Sequence, residues 1–139
     1  MAHPTSALEL RVIFGDTDQM GVVYYGNYLR YFEAARGHFV RARGRSYKEF
    51  EAAGFALPVI EAHVKYRQSL RYDDLFTIHA VVAERKRVTV RFAYEITRGG
   101  EAIAEGWTHH ACLGSDGRPA GMPKDMLALL DAPPSDESA

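Results

Sequence analysis

Apolar and polar positions alternate near the start of the chain. Leu8, Leu10, Val12 and Phe14 fall on one side, with Glu9, Arg11 and Ile13 between them. A period of two marks a strand with one buried face. Gly15-Asp16-Thr17-Asp18-Gln19-Met20-Gly21 then breaks the alternation. Two glycines with short polar side chains suit a tight loop that bonds its own backbone. From Asn27 the period lengthens: Tyr28, Tyr31/Phe32, Ala35, Phe39 and Ala42 recur every three or four positions, as on an amphipathic helix. Arg41, Arg43 and Gly44 supply the cations and the stop expected at its C-terminus. Gly37 inside that helix costs about 1 kcal/mol against Ala unless something packs closely over it.

Ser46-Tyr47-Lys48-Glu49 reads as a capping box opening a short helix that ends at Gly54. Beyond Pro58 the pattern predicts four strands: Val59–Ser69, Leu75–Glu84, Val88–Thr97 and Ala102–Leu113. Gly99-Gly100 marks a two-residue hairpin between the last two. Pro123 can open a final helix carrying Met126, Leu127, Leu129 and Leu130. Hairpin-linked strands pair antiparallel, and one long helix with an apolar stripe must lie on a face of their sheet. The fold class is therefore α+β, with the sheet wrapped around the helix. Trp107 and the apolar last strands suggest that another subunit covers the other face.

Composition changes this picture little. The 139 residues fit one domain, taken as 1–130, with 131–139 an acidic Pro/Ser-rich disordered tail. Seventeen cations against 18 acids exclude a generally basic nucleic-acid coat, so no nucleic-acid partner is expected. One cysteine, Cys112, excludes an internal disulfide and a multi-cysteine zinc site. The first residues show no secretory pattern and no run approaches a membrane span, so a cytoplasmic protein without membrane insertion is expected. Six cations and only Glu33 lie between Arg30 and Lys48, a local basic region able to steer an anion.

Four tyrosines fall within eight residues, at 24, 25, 28 and 31. They follow Asp16 and Asp18, two carboxylates just ahead of a helix start. Such a start presents unpaired N–H groups and partial positive charge, which can stabilise an oxyanion. A carboxylate beside it can attack a carbonyl or activate water. From composition alone, turn and cap chemistry is the better explanation of Asp-x-Asp.

The wider motif resembles the signature of the hotdog-fold acyl-CoA thioesterases, specifically the 4-hydroxybenzoyl-CoA thioesterase family and its Tol–Pal-associated relatives. The residues that carry the resemblance are Asp16, Asp18, Gly21-Val22-Val23-Tyr24 and Asn27-Tyr28. Tyr66-Arg67-Gln68-Ser69-Leu70-Arg71-Tyr72-Asp73-Asp74 is similar to a second family feature. Glu105-Gly106, Asp116-Gly117-Arg118-Pro119 and Met122-Pro123 are similar to a third. The resemblance implies a five- or six-stranded antiparallel sheet around one central helix, assembled into dimers or tetramers. It implies hydrolysis of an acyl-CoA to free acid and CoA without a cofactor. Asp18 maps to the catalytic carboxylate, as nucleophile or general base, and the backbone N–H of Tyr25 to the oxyanion donor. Asp16 is assigned to holding the loop. Many Tol–Pal-type relatives carry histidine where this chain has Tyr25, so Asp18 is expected to work without an imidazole.

Tyr24, Gly26 and Tyr28 are expected at the substrate, with Phe32 and Met20 lining an apolar slot. Arg85, Lys86 and Arg87 match a basic turn that meets the CoA phosphates. His63 and Glu61 share a strand face and are candidates for lining the cleft. His109-His110 point to opposite faces and the remaining histidines lack ligand spacing, so no metal is expected. The competing functions are a hotdog enoyl-thioester hydratase, which usually wants a histidine in the cleft, and a non-catalytic acyl-CoA-binding protein.

Overall fold

The computed structural model describes residues 5–133. Strand β1 (Thr5–Arg11) leads through a single 3-10 turn (Phe14–Asp16) to the long helix α1 (Asn27–Arg41) and the short helix α2 (Tyr47–Ala52). Four strands follow: β2 (Val59–Tyr66), β3 (Leu75–Arg85), β4 (Thr89–Arg98) and β5 (Glu101–Ala111). Helix α3 (Lys124–Asp131) closes the described chain. The five strands form one antiparallel sheet in the order β1-β3-β4-β5-β2.

The inner face is built by the period of two. Phe76, Ile78, Ala80 and Val82 of β3 and Val90, Phe92, Tyr94 and Ile96 of β4 are buried. The stripe of α1 seats on them: Phe32 stacks on Tyr94 with ring centroids 4.2 Å apart, and Phe39 meets Phe92 edge-on at 5.4 Å. Gly106 of β5 lets the helix come this close. A Cβ there would lie 2.1 Å from the His63 carbonyl and 2.9 Å from the Phe32 ring.

The expected capping contact at Ser46 is present, its N–H donating to the Glu49 carboxylate at 2.8 Å. Gly99 and Gly100 both hold positive φ, 57° and 82°, as the tight hairpin requires. Over Gly37 lies only the tip of the exposed Arg41 side chain, 2.9 Å from where a Cβ would be, so no rigid close packing demands that glycine.

Two expectations need correction. Phe14 does not continue the buried face of β1. The chain turns at Ile13 and leaves Phe14 exposed against Tyr72, edge-on at 5.8 Å. Residue 131, expected to open a disordered tail, is helical instead. Asp131 ends α3 and pairs with Arg85, and the Ala132 carbonyl accepts the Arg43 Nε–H at 2.7 Å. The rest of that segment, 134–139, lies outside the described residues.

Candidate active site

The loop between β1 and α1 is held by Asp16. Its carboxylate is buried, accepting from the Arg30 guanidinium and the Tyr31 hydroxyl, each at 2.9 Å. Its carbonyl accepts the Tyr24 N–H and the Asn27 side-chain amide, again at 2.9 Å. Burial, and then the hydrogen bond to Asp16, push the Tyr31 phenol well above its ordinary pKa, so it stays a donor. All of this fixes where α1 begins relative to Asp18.

Asp18 sits on a tight turn. Its N–H donates to the Val22 carbonyl and its carbonyl accepts the Gly21 N–H, both at 2.9 Å. Gly21 has φ +78°, which favours glycine. The Asp18 Oδ1 accepts the Met20 N–H at 2.9 Å; among the described residues Oδ2 has no hydrogen-bond partner. The side chain is half-buried and lines two depressions of about 490 and 290 Å³. The larger includes Phe14, Thr17, Gln19 and Tyr72; the smaller includes Met20, Tyr25, Tyr28 and Tyr66. Neither the Tyr25 nor the Gly26 backbone N–H donates to a protein acceptor among the described residues, so the helix start keeps free donors.

The structure brings Asp18, Tyr25 and Tyr28 to one depression, with Gly26 next along the chain at the start of α1. Tyr28 is 2% exposed and belongs mainly to the core; desolvation raises its pKa. Tyr24 lines neither depression. Its ring packs on that of Tyr25, centroids 4.4 Å apart, and over Gly26, where a Cβ would come within 2.9 Å of it. A hydrogen bond with Tyr25 is the first cause of its raised pKa. Phe32 is fully buried in the core and lines no slot at Asp18.

Arg85, Lys86 and Arg87 are not brought to Asp18 within one chain. The Asp18 loop packs at the Leu75 end of β3, where Val12 N–H meets the Asp74 carbonyl and Val23 N–H the Leu70 carbonyl. Arg85 ends the same strand ten residues on, roughly 30 Å away. Arg85 is also paired to Asp131, and Arg87 lies over Gly121. His63 and Glu61 do not line the cleft either: His63 stacks on Trp107 at 5.9 Å, and Glu61 faces His109 at 3.5 Å. The basic region at α1 is largely engaged, with Arg30 on Asp16, Arg43 on three carbonyls and Arg45 on Glu49 and Asp125.

Sequence reasoning missed Tyr66 as a site residue. Its hydroxyl donates to the Tyr25 carbonyl at 3.0 Å and pins the residue whose N–H is free. Tyr66 stood in the second family-like motif, which was the signal available. Among the described residues no three His, Cys, Asp or Glu side chains converge as a metal site.

Comparison with known proteins gives the family. Residues 12–130 match the model of the thioesterase-like superfamily. An acyl-CoA thioesterase of Haemophilus influenzae is 29% identical over 87% of this chain and 90% of its own. The solved structure of a hypothetical protein from Aquifex aeolicus covers 90% of this chain and 98% of that one, with 34% identity and TM-score 0.87. A DHNA-CoA thioesterase structure from Staphylococcus aureus covers 84% of this chain and 80% of that one, with 32% identity and TM-score 0.81. The chain belongs to the thioesterase-like superfamily, with the hotdog fold and thioester hydrolysis as its activity.

Proposed function

We propose that the thioester is an acyl-CoA and that Asp18 acts on its carbonyl carbon. The observation that carries this reading is the free Asp18 Oδ2 on the wall of a depression that also contains Tyr25, the residue with an unbonded N–H. The thioester oxygen becomes negative as the carbon turns tetrahedral. The Tyr25 N–H, backed by the Gly26 N–H and the positive end of α1, receives that charge.

Two routes close the reaction. In one, the carboxylate attacks, the thiolate of CoA leaves and takes a proton, and water hydrolyses the anhydride. In the other, Asp18 takes a proton from water as the water attacks, then passes it to the departing sulfur. Both need the carboxylate at 18. The phenols of Tyr24, Tyr28 and Tyr66 all have raised pKa values and stay protonated at neutral pH. Met20, Tyr28 and Tyr66 give the acyl group apolar and aromatic walls.

We further place the protein as a homo-oligomer, a dimer or tetramer, in the cytoplasm. Support for assembly is the edge strand β2, which leaves Val59, Ile60 and Tyr66 about half exposed beside the site. A partner subunit would also be the source of a basic turn near the CoA phosphates. Support for a reducing compartment is Cys112, free and buried.

The test is release of free thiol from purified protein with a panel of CoA thioesters that vary only in acyl group, aromatic and aliphatic. Turnover of at least one thioester is expected. Loss of enoyl absorbance without thiol release, or tight binding without turnover, would replace hydrolysis with hydration or sensing.

A further inference from the structure

Arg36 lies midway along α1 and is only 8% exposed; it borders a small depression that reaches Gly26 on one side and a larger cavity on the other. Its Nη1 donates to the Tyr94 hydroxyl at 3.1 Å, and the Tyr47 phenol stands beside it. No carboxylate oxygen of the described residues lies within ion-pair distance of it. Arg43, the other buried arginine on this stretch, is different: three carbonyls take its N–H groups. Arg36 has five donors, and phenol oxygens do not neutralise a guanidinium. A buried charge without a counter-charge is costly.

The polar groups behind Arg36 do not supply the missing charge. Arg36 donates to Tyr94, whose hydroxyl lies 2.6 Å from Thr108 Oγ1; that oxygen lies 2.8 Å from His110 Nε2. His110 Nδ1 is 2.9 Å from the Leu57 carbonyl, so it carries the proton and Nε2 accepts. Donation then runs one way along the whole chain, with a neutral imidazole at its end.

In front of Arg36 is a cavity of about 620 Å³ between α1, α2 and residues 55–58. Its size falls in the usual range for small-molecule sites. Tyr47, Phe50, Phe55, Leu57 and Met126 give it apolar walls. Glu33, Glu51 and Arg41 also line it, and all three are exposed. Exposed carboxylates at the mouth repel a polyanion but leave the buried cation open to a single negative charge. The cavity shares no lining residue with the two depressions at Asp18.

We propose that this cavity binds an organic monocarboxylate, its carboxylate on the Arg36 guanidinium and its apolar body against Phe50, Phe55 and Met126. The carboxylate supplies the counter-charge that the chain lacks, through charge-assisted hydrogen bonds. The cavity shares no lining residue with the depressions at Asp18, so the proposal stands whether or not that reading holds.

The test is calorimetric titration of the full chain with 4-phenylbutyrate, octanoate and benzoate, each beside its uncharged amide. At least one acid is expected to bind saturably, about tenfold or more tightly than its amide, the size of a charged hydrogen bond. Ala34→Phe fills the cavity from α1 and leaves the Arg36 and Asp18 side chains themselves unaltered. It should abolish the binding while thiol release and melting temperature stay unchanged. Arg36→Gln should lose the preference for acid over amide; if that variant does not fold, Ala34→Phe carries the test alone. Equal affinity for acid and amide, binding that survives Ala34→Phe, or no binding of any of the three acids would overturn the proposal.

Discussion

Asp16 and Asp18 have the same side chain two positions apart, and the fold gives them opposite surroundings. Asp16 is enclosed and saturated by Arg30 and Tyr31, whereas Asp18 keeps an oxygen free. The split was only partly legible in the sequence. The family-like motif pointed to Asp18, but what occupies Asp16 is Tyr31, fifteen positions on, which reaches it only once α1 has folded. Tyr31→Phe should therefore lower stability by about 1 kcal/mol in denaturant unfolding, because Asp16 Oδ2 loses its donor. Tyr66 escaped notice for a related reason: its bond to the Tyr25 carbonyl depends on where the β2 edge ends.

His110 gives a second prediction at this scale. Burial comes first, and its pKa falls to about 4. The unfolded chain binds a proton near pH 6.5 and the native chain does not until about pH 4. Stability is therefore constant above roughly pH 6.5 and declines as pH falls toward 4, by about 3 kcal/mol in total from this group. Urea unfolding from pH 7 to 4 should show that slope, and His110→Asn should flatten it.

At the scale of elements, the strands were legible because a period of two survives in β3 and β4, where alternate residues meet α1. The long helix was legible because its stripe is continuous from Tyr28 to Phe39. Phe14 misled because it continues the alternation past the point where the chain turns, and periodicity does not show where a strand ends. The edge strand β2 hardly alternates in burial, since within one chain nothing covers it. Gly106 is the element-level constraint that the sequence hid. It stood in the third family-like feature with no stated reason, and it marks where α1 and the β2 backbone crowd β5. Gly106→Ala should cost about 3 kcal/mol or more, since the backbone itself must move. Thermal unfolding measures this.

For the whole molecule, one chain places the Asp18 loop and the Arg85–Arg87 turn at opposite ends of β3, so a single subunit does not join the reacting carboxylate to that basic turn. The proposed assembly along β2 would cover the exposed apolar edge. Ile60→Lys on that edge should shift sedimentation toward monomer and lower thiol release with it. The overall architecture was legible because element order and sheet topology follow from local pattern and short connections. Which edge a second copy would meet is not encoded by any periodicity.

The carboxylate at 18 is the group proposed to perform the chemistry. Asp18→Asn keeps the side-chain oxygen that accepts the Met20 N–H, so the turn is retained while the carboxylate's charge and basicity are removed. Steady-state thiol release on the best acyl-CoA of the panel should show kcat reduced by about 10²–10⁴, with melting temperature unchanged. A folded Asp18→Asn protein with the kcat of the wild type would contradict the account.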